Sequence, residues 1–109
     1  MSSPTTVWFT EYAASQVGRI DSTSDTIHEY PTPSPKSWPW SIAKGADHKT
    51  WFTEAGTANI SIGRTTRQGK MTEYAYPTSA LGAWAITAGP KDDLWFTITP
   101  NAIGSITTY

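Results

Sequence analysis

The tripeptide Trp-Phe-Thr occurs three times in this chain, as Trp8-Phe9-Thr10, Trp51-Phe52-Thr53 and Trp95-Phe96-Thr97. The second copy begins 43 residues after the first, and the third begins 44 residues after the second. A repeat of about 40–45 residues built from short strands is typical of β-propeller blades. The 109 residues hold about two and a half such periods, so the sequence predicts part of a propeller ring.

Other motifs keep the same period, which strengthens the repeat. A glycine motif, Gly-Arg in the first two copies and Gly-Ser in the third, follows the tripeptide, and a Trp-x-Ile motif that ends in glycine precedes its second and third copies. These recur as Val17-Gly18-Arg19-Ile20, Ile62-Gly63-Arg64-Thr65 and Ile103-Gly104-Ser105-Ile106, and as residues 40–45 and 84–89. Each motif has the length and β-branched or aromatic content of a strand, and turn residues separate them.

We name the four strands of a blade A to D, from the ring axis outward. The repeats then predict strands B-C-D, A-B-C-D and A-B-C in three successive blades. The corresponding ranges are a partial blade at 7–35, a full blade at 36–79 and a partial blade at 80–109. The proline-rich residues 31–35 are predicted to connect the first two blades, because proline cannot donate to a ladder.

Incomplete blades predict self-association. Unpaired strand edges and uncovered apolar faces favour pairing with another chain. We therefore expect a homo-oligomer that completes the ring, either a dimer with about five blades or a trimer with seven or eight.

The composition indicates a folded chain without an electrostatic preference for a polyanion. Hydrophobic residues make up 38%, aromatic residues 13% and charged residues 16%, and the net charge is −1. This balance favours neither nucleic acid nor membrane partners. The lack of cysteine excludes disulfides and fits a reducing compartment. No secretory signal is visible in residues 1–6, so we expect a cytoplasmic location.

The motifs resemble the repeat of the streptogramin B lyase (virginiamycin B lyase) family over nearly the whole chain after Thr6. The resemblance is closest at residues 84–90 and 94–97. It implies a propeller, which in the family's enzymes is a seven-bladed ring in one chain. It also implies a magnesium-dependent elimination that linearises a cyclic depsipeptide antibiotic. In the family, histidines of the A strand and a glutamate two residues earlier supply the acid and the base.

This sequence departs from the family at those positions. The histidine position holds Trp40 and Trp84, and the glutamate position holds Trp38 and Gly82. Indole and glycine cannot transfer a proton at neutral pH. We therefore predict no catalytic residue, no enzymatic activity and no cofactor. Magnesium would be required only if the lyase alternative held.

The same substitutions indicate a binding surface. Trp40 and Trp84 are predicted to begin A strands at the mouth of the channel, with Trp38 in the preceding loop. Tryptophan faces at such a mouth can stack on the apolar faces of sugar rings. Packing of the channel mouth is the structural alternative. Four further candidate contacts, each with a structural alternative as a strand-end or strand-face residue, are Glu11, Glu54, Arg19 and Arg64.

The remaining aromatic and histidine residues are predicted to be structural. Trp8, Trp51 and Trp95 are expected to pack blade against blade. The histidines, His28 and His48, lack the spacing of metal ligands, so no metal site is predicted.

The sequence thus predicts an oligomeric, non-catalytic propeller that binds carbohydrate, as a lectin does. Two alternatives remain open at this stage. One is a streptogramin B lyase, and the other is a propeller fragment whose only property is self-assembly.

Overall fold

Each Trp-Phe-Thr tripeptide lies on a B strand of its own antiparallel sheet. The computed structural model describes residues 6–33, 36–56, 60–76, 82–99 and 102–107. Blade 1 contains β1 (Thr6–Glu11), β2 (Gln16–Asp21) and β3 (Thr26–Pro31), in that order across the sheet. Its strands correspond to B, C and D, and they are joined by tight turns.

Blade 2 has all four strands, and blade 3 has three. Blade 2 contains β4 (Pro39–Lys44), β5 (Thr50–Glu54), β6 (Ile60–Thr65) and β7 (Met71–Tyr76) in sequential order. Blade 3 contains β8 (Gly82–Ala88), β9 (Asp93–Thr99) and β10 (Ala102–Thr107), with a 3₁₀ turn at Pro90–Asp92. This arrangement confirms the predicted all-β, partial-propeller architecture.

Alternation along the strands gives each blade two distinct faces. We call the side that carries the tryptophan of Trp-Phe-Thr the front face, and the side that carries the phenylalanine the back face. In blade 2, Trp51 pairs across the sheet with Ala43 and Arg64, whereas Phe52 pairs with Ile42 and Gly63. Both aromatic rings of the tripeptide can therefore pack, one toward each neighbouring blade.

The main core lies between the front of blade 2 and the back of blade 3. It comprises five buried side chains that are at most 7% exposed: Trp51, Ile62, Ile86, Leu94 and Phe96. Burial of such side chains contributes about 1.5–3 kcal/mol each. The same arrangement joins the front of blade 1 to the back of blade 2, where Val17 and Phe52 are fully buried.

The three tryptophans of the tripeptides differ in burial. Trp51 is 2% exposed between blades 2 and 3, and Trp8 is half-buried on the front of blade 1. Trp95 is 38% exposed, because it lies on the front face of blade 3, which has no further blade against it among the described residues. The expected packing of blade against blade thus holds fully for Trp51 only.

Candidate ligand-binding site

Four aromatic rings lie side by side where the A strands of blades 2 and 3 begin. The rings of Trp38 and Tyr12 stack at 5.8 Å between centroids with an interplanar angle of 25°. Tyr12 meets Trp40 edge to face at 5.2 Å, and Trp40 meets Trp84 in the same way, also at 5.2 Å. We call Tyr12, Trp38, Trp40 and Trp84 the aromatic cluster. It joins residues from all three blades.

Irregular pairing of the A strands with the B strands sets the positions of Trp40 and Trp84. The pairing of β4 with β5 shifts between Pro39 and Ile42, and that of β8 with β9 shifts between Ala83 and Ile86. A bulge of this kind redirects the side chain that it carries. At each of these shifts, the threonine of the tripeptide bonds to the backbone of the A strand. Thr53 Oγ1 accepts from the Ser41 amide at 3.1 Å, and Thr97 Oγ1 accepts from the Ala85 amide at 3.1 Å.

The loop before β4 holds Trp38 in a left-handed backbone conformation, with φ at +50°. A non-glycine residue in this region costs about 1–3 kcal/mol and is more frequent at functional sites. Its carbonyl accepts from the Ala55 amide at 3.1 Å. A Cβ at Gly56 would lie 2.6 Å from the Trp38 ring, so glycine permits the indole to lie flat on the loop after β5.

The cluster is open to solvent. Trp40 is 51% exposed, Tyr12 and Trp38 are each 38% exposed, and Trp84 is half-buried. Exposed aromatic surface of this extent on one side of a blade array is unusual for a structural cluster, because stable packing removes such rings from water. The arrangement can bind an apolar ring face by stacking.

Sequence reasoning missed Tyr12. The residue follows Glu11 at the end of β1, where the second repeat has Ala55 after Glu54. This difference between repeats was a usable signal, because an aromatic residue replaces a small one at a position next to the predicted channel mouth.

The two candidate glutamates occupy equivalent strand ends but different environments. Glu11 accepts from Gln16 Nε2 at 3.0 Å, and it raises the pKa of Glu29 through a side-chain hydrogen bond and charge repulsion. Glu54 is fully buried at the end of β5, opposite Pro39 in the ladder. Glu11 is half-buried on the back face of blade 1, whereas burial keeps Glu54 from contact with solvent.

The two candidate arginines lie in the blade faces, away from the bulged ends of the A strands. Arg19 stacks 5.9 Å from the Trp8 ring centre, and Arg64 lies 5.6 Å from that of Trp51. Arg19 also donates to the Arg67 carbonyl and to Asp21, and Arg64 lies 3.6 Å from Asp47. The structure thus unites the three predicted tryptophans but gives the arginines packing contacts within and between blades.

Metal ligands are not grouped in the part of the chain that the structure describes. It contains no set of three or more histidine, aspartate or glutamate side chains close enough to share a metal ion. His28 lies on β3, 3.8 Å from Asp21, and His48 is exposed in the turn before β5. The aromatic cluster offers ring faces where Mg²⁺ would need several oxygen ligands, so these residues do not fit that ion. Among the described residues, no helix is long and apolar enough to cross a membrane.

Comparisons with a family model and with solved structures indicate the same family. The model of the "Virginiamycin B lyase family" matches residues 1–109. No curated protein sequence gave a match. Solved structures did match, and the chain covers less than two-fifths of the length of the three described next.

Three of these structures are lyases. Selenomethionine-substituted virginiamycin B lyase from Staphylococcus aureus is 37% identical with a TM-score of 0.77, covering 94% of this chain and 37% of that one. A catalytically inactive variant of that enzyme with quinupristin is 37% identical with a TM-score of 0.79, covering 98% and 39%. A streptogramin B lyase structure is 28% identical with a TM-score of 0.77, covering 98% and 38%. Because the family model matches every residue, the chain belongs to the virginiamycin B lyase family.

Proposed function

We propose that this chain is a non-catalytic binding protein whose aromatic cluster takes a carbohydrate ligand. One observation carries the proposal: three exposed rings and one half-buried ring form a continuous row, and three of them, Trp38, Trp40 and Trp84, stand where the family resemblance places acid–base residues. Indole supplies a binding face but no proton at neutral pH. The chain shares the fold of the family, and Trp38, Trp40 and Trp84 suit that fold to ligand binding rather than to proton transfer.

The geometry of the row supports a sugar. Trp40 meets both neighbours with its ring at about 80°, so the row presents ring faces and edges in turn. The C–H face of a pyranose can lie on such an indole face. A shallow site of this kind binds weakly alone and gains avidity when several copies act together.

A glycan array probed with the full-length chain tests this function. We expect saturable binding to one sugar class, followed by a solution titration of the chain with that free sugar. Trp40→Ala and Trp84→Ala should each weaken the affinity per chain roughly tenfold or more, since stacking on an aromatic ring is the main contact. Trp95→Ala is the matched control, because Trp95 is as exposed as Trp38 but lies outside the cluster. A blank array at high protein concentration would exclude the lectin function.

The lyase reaction is the second candidate, and family membership favours it. The test is linearisation of a streptogramin B antibiotic in the presence of Mg²⁺, measured by the loss of the cyclic compound. We expect no turnover, because Trp40 and Trp84 cannot act as acid or base. Turnover that disappears in His28→Ala or His48→Ala would contradict the non-catalytic proposal. No sugar binding and no turnover together would leave assembly as the chain's property.

A further inference from the structure

A cavity of about 450 Å³ lies between the front of blade 1 and the back of blade 2. Blade 1 contributes the Trp8 ring and the Thr6 side chain, and the opposite wall comes from strands and turns of blade 2. Binding sites for small organic molecules generally enclose about 300–1,000 Å³. The space is therefore large enough for a ligand with one or two rings.

The cavity is present because the back of blade 2 is polar where the equivalent face of blade 3 is apolar. On blade 3, Leu94 pairs across the sheet with Ala88 and Ile106. Leu94 is 1% exposed, and Ile106 packs against the same core. On blade 2 the three equivalent positions carry polar side chains, which are Thr50, Lys44 and Thr65. Leucine and isoleucine thus fill the junction between blades 2 and 3, and two threonines leave the junction between blades 1 and 2 open.

Both walls of the cavity belong to blades that already pack on each other within the chain. Thr10 of blade 1 donates to the Trp40 carbonyl of blade 2, and Arg67 of blade 2 donates to Thr6 of blade 1, each at 2.9 Å. A strand that paired with the free edge of β1 would lie in the plane of blade 1, as β4 lies beside β5. Such a strand would border the cavity without occupying the space between the two sheets.

The charged groups that line the cavity are positive. Lys44, at the end of β4, forms no ion pair with a described side chain, and no carboxylate is among the described residues that line the space. Arg67 lies 3.2 Å from Asp21, which neutralises part of its charge. His48 adds an imidazole from the turn before β5. The cavity therefore favours an anion over a neutral or cationic ligand.

The uncharged walls offer hydroxyls on one side and a ring face on the other. Thr65 is 1% exposed and Thr50 is 8% exposed. The Thr50 hydroxyl has no hydrogen-bond partner among the described residues, although a buried polar group usually has one. The half-buried Trp8 ring forms the opposite wall, and an aromatic face of this kind packs well on another flat ring.

We propose that this cavity binds a small organic anion that carries a flat apolar ring, at a site separate from the aromatic cluster. The ring lies against Trp8, the anionic group meets the Lys44 ammonium, and the Thr50 hydroxyl donates to the ligand. Lys44 follows Trp40 by four residues on β4, which is about 13 Å at the rise of a strand. The two sites therefore lie at opposite ends of one strand.

Isothermal titration of the full-length chain with 2-naphthoate tests this site, and 2-naphthamide serves as the uncharged probe. Both titrations use a Trp40→Ala background, which removes the aromatic cluster as an alternative place for the ring. We expect naphthoate to bind with a dissociation constant below about 1 mM and naphthamide to bind at least about tenfold more weakly, because it lacks the charge that Lys44 attracts. No naphthoate binding in this range, or equal affinity for the two probes, would overturn the proposal.

Giving blade 2 the side chains of blade 3 should close the cavity. Thr50→Leu combined with Thr65→Ile should lower the naphthoate affinity at least about tenfold, since the added carbons occupy the space of the ligand. The same change should raise the urea midpoint, because apolar side chains replace hydroxyls at buried positions. Unchanged naphthoate affinity in this variant would overturn the proposal. If the double variant fails to fold by circular dichroism, Thr65→Ile alone narrows the cavity in its place.

Replacing Lys44 by methionine tests the charge without closing the cavity. Lys44→Met should weaken naphthoate binding about tenfold and leave naphthamide binding unchanged, because only the charged probe meets the ammonium. Lys91→Met is the matched control, since Lys91 is an exposed lysine of blade 3 outside the cavity. It should change the affinity for neither probe. Equal losses for both probes in Lys44→Met would contradict the anion site.

Discussion

At the residue scale, the threonine of Trp-Phe-Thr links one blade to the next. Thr53 is fully buried; its hydroxyl accepts from the Ser41 amide of its own blade and donates to the Trp84 carbonyl of blade 3. Thr10 donates to the Trp40 carbonyl of blade 2 at 2.9 Å. Each hydroxyl thereby bonds to the backbone of a bulged A strand.

Replacing Thr53 by valine should weaken this link without changing the volume of the side chain. We expect a loss of about 1–3 kcal/mol in the free energy of unfolding, because a partly buried amide and a partly buried carbonyl lose their hydrogen bond to this hydroxyl. Thr10→Val is the matched control and should cost less, since its bond is exposed and water can replace the hydroxyl. Urea unfolding at one protein concentration measures both. Equal losses would show that the hydroxyl bond is not what holds the blades.

The position that pairs with the phenylalanine of the tripeptide is glycine because a larger side chain would overlap the ring. A Cβ at Gly63 would overlap the ring of Phe52, which is fully buried, and a Cβ at Gly18 would overlap the ring of Phe9. Gly63→Ala should destabilise the fold by about 1–3 kcal/mol, as overpacking does. Gly18→Ala should cost less, because Phe9 is half-buried on an open face and can move. Thermal unfolding compares the two, and the reverse order would contradict this explanation.

At the scale of the element, a stack of tryptophan, arginine and tyrosine runs across three strands of blade 2. The Trp51 and Tyr74 rings lie 5.5 Å apart at 18°, and the Arg64 guanidinium lies 5.6 Å and 5.7 Å from their centres. Blade 1 repeats the stack with Trp8, Arg19 and Tyr30. A cation over an aromatic face contributes about 0.5–2 kcal/mol, so the stack ties strands B, C and D together.

Replacing Arg64 by methionine therefore tests whether this arginine is structural. We expect a loss of about 1 kcal/mol in unfolding free energy, from the cation–π contacts and the Asp47 pair. Affinity for the sugar found on the array should be unchanged. A fall in affinity comparable to that of Trp40→Ala, with stability intact, would instead place Arg64 in the binding site.

The strands could be predicted from the sequence because the repeat fixed their order. Once three copies of Trp-Phe-Thr mark the B strands, the Gly-Arg and Trp-x-Ile motifs assign C and A, and the observed sheets follow. The neighbours of a side chain could not be predicted in this way. The repeat gives Trp95 the same position as Trp51, yet Trp95 is exposed, because burial depends on the next blade rather than on its own.

The contacts within the candidate site could likewise be predicted from the sequence only in part. The shared position of Trp40 and Trp84 in two repeats predicted that they lie at one end of neighbouring blades, and their rings are 5.2 Å apart. Tyr12 comes from the end of a B strand in another blade, so no motif spacing related it to Trp38. Such a contact depends on the angle between blades, which the sequence does not encode in any short pattern.

At the scale of the whole molecule, ion pairs join blade 1 to the turn between β6 and β7. Arg67 Nη2 lies 3.2 Å from Asp21 Oδ1, and Arg67 also donates to Thr6 Oγ1. Arg19 and His28 lie 3.2 Å and 3.8 Å from the second oxygen of Asp21. Burial acts to raise the pKa of Asp21, but the Arg19 charge, the Thr6 hydrogen bond and the charges of Arg67 and His28 outweigh it and lower this pKa below 3.8.

A lowered pKa in the folded state makes the ionised Asp21 stabilising. This contribution is fully present above pH 3.8, the usual pKa of the group, and it is lost as the pH falls through the lower pKa of the folded state. Glu29 acts in the opposite sense. Its pKa is raised above 4.5 by Glu11, so its ionisation destabilises the fold as the pH rises through that higher value.

Asp21→Asn should therefore lower the stability at neutral pH and flatten its decrease in acid below pH 3.8. The measurement is the urea midpoint at a series of pH values, made in a Glu29→Gln background. That background removes the opposing effect of Glu29 above pH 4.5 and should itself raise the midpoint at neutral pH, because the repulsion from Glu11 is gone. An acid decrease as steep in the Asp21→Asn variant as in its parent would show that this network does not couple the blades. With the network intact, acid should weaken the contact between blades 1 and 2 first, because Asp21 meets Arg67 there, while the apolar side chains of Trp51, Ile62 and Phe96 hold blades 2 and 3 together.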